Sequence, residues 1–197
     1  MCIETIVLAS YNLNKAQEIQ VLLGSEYHVI TQQAFDIPPT AETGATFEEN
    51  ALLKAKTVYD ITDLPVIGDD SGLEVFALNN QPGIHSARFA GNNASDDENI
   101  EKLLRKMHNI AQENRTARFR CVVAFFGQGT DQPVFFQGDW AGYIAKERTG
   151  LNGFGYDPVF VDSQSNLTAA ELSACQKNKI SHRGKAIQSL KLYLRAS

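Results

Sequence analysis

The stretch TIVLASYNLNKAQEIQVLLG, Thr5 to Gly24, decides the fold class. Its first five residues form a continuous apolar run of strand length. Ala16, Ile19, Leu22 and Leu23 then recur at helical spacing, and Gly24 closes the pattern. The stretch therefore reads as strand, turn and helix, and Tyr27 to Thr31 supplies a short second strand. Further along, Thr46-Phe47-Glu48-Glu49 carries a capping-box signature, with Phe47, Ala51, Ala55 and Val58 on one face of the helix that follows. Pro65 to Gly68 leads into a strand that ends near Asp69, with Leu73 to Leu78 as its other arm. Ser95-Asp96-Asp97-Glu98 is a second capping box, and the helix it opens has Ile100, Leu103, Leu104 and Met107 as its apolar positions. Ala117 to Phe126 and Val134 to Ile144 are rich in aromatic and β-branched residues. The turn-like segment Gly127 to Pro133 between them predicts a long antiparallel pair. A last helix runs from about Arg183, with Ala186, Ile187, Leu190, Tyr193 and Leu194 on its buried side. Alternating strands and helices that give way to an antiparallel pair predict an α/β fold with a mixed sheet.

At 197 residues the chain has the length of one large domain or of two closely joined lobes, and it reads as one cooperative unit spanning 1–197. Hydrophobic residues are 43% and charged residues 21%, with no apolar run long enough to cross a bilayer. Met1 to Ala9 lacks a basic leader and a small-residue cleavage site, so the expected location is the cytosol. Cys2, Cys121 and Cys175 are odd in number and widely spaced, which disfavours a disulfide framework or a structural zinc site and leaves reduced thiols. A net charge of -5 argues against a general nucleic-acid binder, which needs a concentrated basic face. A small anionic ligand needs only a few local cations, and the Lys and Arg residues of interest sit singly in motifs.

Four segments carry chemistry. Ser10-Tyr11-Asn12-Leu13-Asn14-Lys15 lies between a strand end and a helix start, where backbone N–H groups and the helix dipole favour phosphate oxygens. The competing reading has Asn12 or Asn14 as a plain helix cap and Lys15 solvated; a P-loop is excluded because its glycine and lysine spacing is absent. In the second segment, Lys54 lies beside the apolar stripe of its helix and Lys56 points away, which makes Lys54 the inward cation or else a boundary lysine reaching solvent. Glu49 reads as a capping residue, and Glu42 as a plain loop acid unless a metal calls for it.

The third segment is Gly68-Asp69-Asp70-Ser71-Gly72, adjacent acids at the tip of an apolar strand. Magnesium takes hard oxygen ligands and needs only one or two carboxylates beside substrate phosphates, and a neighbouring acid is suited to orienting a water. Solvated aspartates in a turn are the alternative. The fourth is Asn152-Gly153-Phe154-Gly155-Tyr156-Asp157-Pro158 with Lys177 and Ser181-His182-Arg183-Gly184. A glycine-flanked Phe154 offers a flat face to a base, with polar contacts from Tyr156 or Asp157. Ser181 stands where an N-cap belongs, so His182 and Arg183 fall in the first helical turn; the tripeptide by itself reads as a capped surface helix.

In this order, S-Y-N-L-N-K from Ser10, E-T-G from Glu42, T-F-E-E-N-A-L-L-K-A from Thr46, D-D-S-G from Asp69, P-G-I-H-S-A-R from Pro82, G-F-G-Y-D-P from Gly153 and K-N-K-I-S-H-R-G from Lys177 resemble the inosine triphosphate pyrophosphatase family over nearly the whole chain. The resemblance implies an elongated, two-lobed α/β fold with a curved mixed sheet, flanking helices and a nucleotide cleft between the lobes, paired as a homodimer. It implies hydrolysis of noncanonical purine nucleoside triphosphates (ITP, dITP, XTP) to monophosphate and pyrophosphate, with magnesium as cofactor; charge and the lack of a membrane-length apolar run already argue against nucleic acid and membrane as partners. By position, Ser10 to Lys15 would hold phosphates, Lys54 would reach the phosphate chain, and Glu42 with Asp70 would bind the metal. Asp70 matches the proton acceptor and Ser71 a neighbouring substrate contact, while Phe154, Gly155, Tyr156, Asp157, Lys177, His182 and Arg183 match base-side contacts. Tyr11 departs from the family, which commonly has glycine there, and its bulk bears on how the first loop closes.

Two rival readings belong to other classes. A nucleotide sensor without turnover has little use for closely spaced acids beside a triphosphate. A phospho-aspartate phosphatase is disfavoured because D-D-S-G stands where D-x-D is expected.

Overall fold

The computed structural model describes residues 4–196. Cys2, with its expected reduced thiol, and the start of the Met1 to Ala9 segment lie outside the described residues. The elements are β1 (Glu4–Leu8), α1 (Leu13–Leu23), β2 (Tyr27–Thr31), α2 (Phe47–Thr62), β3 (Val66–Val75), β4 (Gln81–Pro82), α3 (Asp96–Lys106), β5 (Thr116–Phe126), β6 (Val134–Ile144), β7 (Phe160–Asp162), α4 (Ala174–Ile180) and α5 (His182–Ala196). β1 and β2 pair in parallel, Glu4 opposite Tyr27 through Leu8 opposite Thr31, so α1 is the crossover a parallel pair requires. The sheet runs β2-β1-β3-β5-β6-β7, with β4 paired to β3. β1 and β3 are parallel, whereas β3 with β4 and β6 with β7 are antiparallel, which makes the sheet mixed as expected.

Burial explains the patterns from which the strands were read. Ile6, Val7 and Leu8 of β1 have no exposed surface, so both faces are covered and the run is apolar throughout. β6 alternates instead: Gly138, Trp140, Gly142 and Ile144 are buried while Asp139 and Ala141 are exposed.

The chain forms two compact units. The first comprises 1–70, 121–138 and 183–197, and its core joins Ile6, Leu8, Ile19, Leu23, Ile67, Val123, Phe125, Ile187 and Leu190. The second comprises 71–120 and 139–182, with a core of Leu73, Val75, Ile100, Leu103, Met107, Phe119, Trp140, Ile144 and Phe160. Each fully buried Leu or Phe contributes about 1.5–3 kcal/mol, so each unit has its own source of cohesion. The second unit also holds Arg115, 2% exposed, whose guanidinium donates to the carbonyls of Ile144, Met107 and Ala145.

Several expectations are corrected. β3 runs unbroken through Asp69 and Asp70 where a strand tip was expected; Gly68 is there for close packing, since an added Cβ would lie 2.2 Å from the Ala51 carbonyl oxygen of α2. Leu73 to Val75 complete that strand, and Phe76–Leu78 is a 3₁₀ turn. Thr46 accepts from the Glu49 amide as expected, but the Glu49 carboxylate returns to the Ala45 amide. α4 was not foreseen, although Ser173 and Gln176 form a full capping box at its start. Ser181, His182 and Arg183 do not begin a surface helix: all three are buried. Tyr193 is 39% exposed and closes over Phe125 and Phe136 only with its ring.

Candidate functional site

Successive residues of a strand face opposite ways, so β3 presents Asp69 and Asp70 to different surroundings. Asp69, on the side of Ile67, receives an ion pair from Lys15, a thiol hydrogen bond from Cys121 at 3.1 Å and Arg183 Nε at 3.4 Å. Burial pushes its carboxyl up, but Lys15, Arg183 and Lys54 together override that and hold it well below the usual carboxylate range. Arg183 also donates to Glu18 Oε2 at 2.5 Å. Burial alone would lower the guanidinium's pKa, yet Asp69 and Glu18 raise it, so this is a permanently charged, structurally compensated cluster.

Asp70 faces α2. Phe47, Ala51, Ala55 and Val58 share one face of that helix with Asn50 and Lys54, and all six are buried. The contact at Gly68 draws this face against β3, which brings Lys54 Nζ to 2.7 Å from Asp70 Oδ1. The same ammonium lies 3.1 Å from Glu42 Oε1. Burial opposes its charge, but Asp70, Glu42 and Asp69 outweigh burial and raise the pKa of Lys54. Asp70 moves the other way from its neighbour: burial raises its carboxyl, and Lys54 offsets only part of that. A carboxylate with a raised pKa is a better proton acceptor than a solvated one.

Asn50 was missed by sequence reasoning. Its Oδ1 accepts from the Gly44 amide at 2.8 Å and its Nδ2 reaches Asp70 Oδ2 at 3.4 Å, tying the Glu42 loop to the acid. The available signal was a polar residue four positions before Lys54 on an otherwise apolar stripe. Glu18 was also missed, and nothing in the sequence pattern around it points to Arg183.

The phosphate-loop candidates lie at the start of α1. Asn12 is its N-cap, accepting from the Lys15 amide at 3.1 Å, while Ser10 Oγ accepts from the Asn12 amide. Leu13 and Asn14 are exposed. Tyr11 turns away, its hydroxyl donating to the Ile37 carbonyl at 2.9 Å, so its bulk rests on the segment after β2.

Of the base-side candidates in the second unit, Phe154, Asp157 and Lys177 form a compact group. Asp157 Oδ2 accepts from Lys177 Nζ at 2.6 Å and from the Phe154 amide at 3.0 Å. Lys177 Nζ stands 5.0 Å from the centroid of the Phe154 ring. Gly153 has φ +79°, and a Cβ there would lie 1.9 Å from Asp157 Oδ2, so this turn requires glycine. The Tyr156 hydroxyl donates to the Ser86 carbonyl at 2.9 Å, and burial raises its pKa further above the ordinary value. His182 stacks on Phe119, ring centroids 4.7 Å apart. Ser71 is partly buried just past Asp70 on β3. The lysine, arginine and acidic candidates therefore gather in three places, around Asp69, around Asp70 and around Asp157, whereas Tyr156 and His182 bond and stack elsewhere.

The chain is similar to known proteins over almost its whole length. A family model described as the Ham1 family matches residues 6–193. A dITP/XTP pyrophosphatase of Methylococcus capsulatus is 48% identical over 193 residues, 97% of this chain and 96% of the relative. One of Vibrio cholerae is 47% identical over 94% of each chain. Among solved structures, a HAM1 protein from Coxiella burnetii superposes with a TM-score of 0.89 at 44% identity, covering 99% of this chain and 100% of that one. The Staphylococcus aureus Ham1 protein gives 0.87 at 45% identity, covering 98% and 99%.

Proposed function

The chain belongs to the Ham1 family, and from that membership we infer that it is a dITP/XTP pyrophosphatase, a hydrolase of noncanonical purine nucleoside triphosphates. ITP, dITP and XTP are cleaved to the monophosphate and pyrophosphate, which removes them from the nucleotide pool. The observation that carries the chemistry is Lys54 held between Asp70 and Glu42, at 2.7 and 3.1 Å.

In this reading a water beside Asp70 attacks the α-phosphorus. Its proton passes to the Asp70 carboxylate, the bond from the α-phosphorus to the bridging oxygen breaks, and pyrophosphate leaves. Lys54 and Lys15 offset charge on the phosphate chain, and Ser10 to Asn14 offer it amides and side chains. Phe154, Gly155, Tyr156, Asp157, Lys177, His182 and Arg183 are assigned to recognition of the base, and Ser71 to a contact beside the acid.

Glu42 and Asp70 fit magnesium: they are hard oxygen donors converging on one ammonium, and this ion needs only one or two carboxylates when phosphates and water complete its shell. When bound, it neutralises charge developing on the phosphate oxygens. The whole chain acts as one catalytic domain in the cytoplasm, as a homodimer, without nucleic-acid or membrane partners. An elongated two-lobed form with a nucleotide cleft is part of the same proposal. Among the described residues no helix is long and apolar enough to cross a membrane.

Product analysis with ITP and magnesium tests the reading. Release of pyrophosphate and IMP is expected. Release of orthophosphate would place attack at the γ position, and binding without release would identify a sensor.

A further inference from the structure

We propose that Asp96, at the start of α3, is a positioning residue that holds the base-reading loop from outside its own sequence motif. The proposal rests on the assignment of Gly153–Asp157 to the base and deepens it. Gly155 donates its amide to Asp96 Oδ2 at 2.6 Å, although 59 residues separate the two. The preceding amide, of Phe154, donates to Asp157 Oδ2. Two carboxylates thus take two successive amides, and this fixes where the Phe154 ring stands relative to Lys177 Nζ.

Gly155 has φ +60° with no atom within 4 Å of an added Cβ, so glycine serves the backbone turn that aims its amide at Asp96, not a need for space. The start of the loop is tethered beside it: the Arg148 guanidinium pairs with the Asp97 carboxylate and donates to the Asp97 carbonyl at 3.0 Å. The other side of the loop rests on the segment after β7, where the Asn152 amide donates to the Ala170 carbonyl at 3.0 Å, but the side towards α3 is open. A cavity of about 520 Å³ lies against the loop, lined among others by Asp96, Asp97, Arg148, Leu151 and Phe154. Capping does not require these acids, because Ser95 and Glu98 already complete the capping box of α3. Asp96 and Asp97 thus stand outside the capping box, and both carboxylates reach the loop.

Two variants separate this role from a general loss of structure. Asp96→Ala should raise KM for ITP roughly five- to tenfold with kcat within about twofold, because the tether orders a binding element and not the reacting atoms. Asp96→Asn keeps a side-chain carbonyl acceptor and should restore KM to near the unmodified value. Asp96→Ser, too short to reach Gly155, replaces the alanine variant if that one fails to fold. Amide hydrogen exchange over residues 153–157 without nucleotide should quicken in Asp96→Ala and not in Asp96→Asn. Unchanged KM and exchange in the alanine variant, or an asparagine variant as impaired as the alanine one, overturns the proposal. If the unmodified protein releases no pyrophosphate from ITP, the functional reading fails, and the exchange rates alone then decide whether Asp96 holds the loop.

Discussion

Gly68 on β3 and Ala51 on α2 are packed backbone to backbone, with room for no side chain at the glycine: an added Cβ would stand 2.2 Å from the Ala51 carbonyl oxygen and 2.8 Å from the Ala55 amide nitrogen. Lys54 lies one helical turn on from Ala51, and Asp70 lies two residues on from Gly68 on the same face of its strand. The glycine contact is thus what sets the 2.7 Å separation of lysine and acid. Gly68→Ala must push α2 outward, since neither neighbour is the end of a flexible side chain. We expect a loss of about 1–3 kcal/mol of stability from overpacking, with turnover of ITP falling at least about tenfold. Urea denaturation and steady-state kinetics measure the two effects, and full activity in a well-folded variant would break the link between the glycine and the site.

Adjacent aspartates should fail in different ways. Asp69→Asn leaves Lys15 and Arg183 around a neutral amide in a buried place, and removing one partner of such a cluster costs about 3–5 kcal/mol. Asp70→Asn keeps shape and burial while removing the acceptor. It should keep the fold and ITP binding, with turnover reduced by roughly several orders of magnitude. Thermal unfolding of both variants, with ITP binding measured in calcium in place of magnesium, distinguishes them. Ordinary turnover in Asp70→Asn would remove the acid from the mechanism.

The inward direction of Lys54 was legible because helical periodicity places it beside a stripe of Phe47, Ala51, Ala55 and Val58, and the stripe is local information. The parallel opening and the long β5 and β6 strands were legible for the same reason. The course of β3 was not. Glycines flanking two acids read as a turn when only neighbours in sequence are considered, whereas the backbone of α2, remote in sequence, is what Gly68 accommodates. The division of labour between Asp69 and Asp70 was hidden too, because it follows from which partners lie across each face. Lys15 was legible as a cation of the first loop, but its pairing with Asp69 spans 54 residues and leaves no local trace.

The proposed homodimer needs apolar surface on the outside of the chain, and of the aromatic residues on β6 Trp140 and Phe135 differ in what they can offer. Trp140 is 2% exposed, its ring packed against Phe119, Phe160 and His182, so it offers nothing to a partner. Phe135 is 40% exposed and is the apolar side chain of this strand that a partner copy could cover. Sedimentation velocity on the order of tens of micromolar should show a dimer, and Phe135→Ser should weaken it if that residue lies in the contact. A strictly monomeric protein would refute the dimer without touching the catalytic assignment.

The one tryptophan of the chain also reports on a carboxylate. Trp140 Nε1 donates to Asp162 Oδ1 at 2.8 Å, and the amides of Ser165 and Gln164 donate to Oδ2 at 2.7 and 3.2 Å. Burial pushes the Asp162 carboxyl up, but these donors, with the Ser165 hydroxyl, outweigh it and lower the pKa below the ordinary 3.8. For a carboxyl whose folded pKa lies below its unfolded one, the unfolded chain takes up the proton first as pH falls. The stabilisation is therefore present in full above the unfolded value and is lost as pH falls through the folded one. Asp162→Asn keeps an acceptor for Trp140 but removes the charge and places an NH2 group against two amide donors. It should cost about 1–3 kcal/mol at neutral pH, the worth of hydrogen bonds to a charged group. The difference in stability between the two proteins should hold constant from neutral pH down to about 5 and narrow only below 3.8, the ordinary carboxyl value. Urea denaturation followed by Trp140 fluorescence at stepped pH measures it. A gap that narrows well above pH 5 would mean that Asp162 titrates higher in the folded protein than these donors allow.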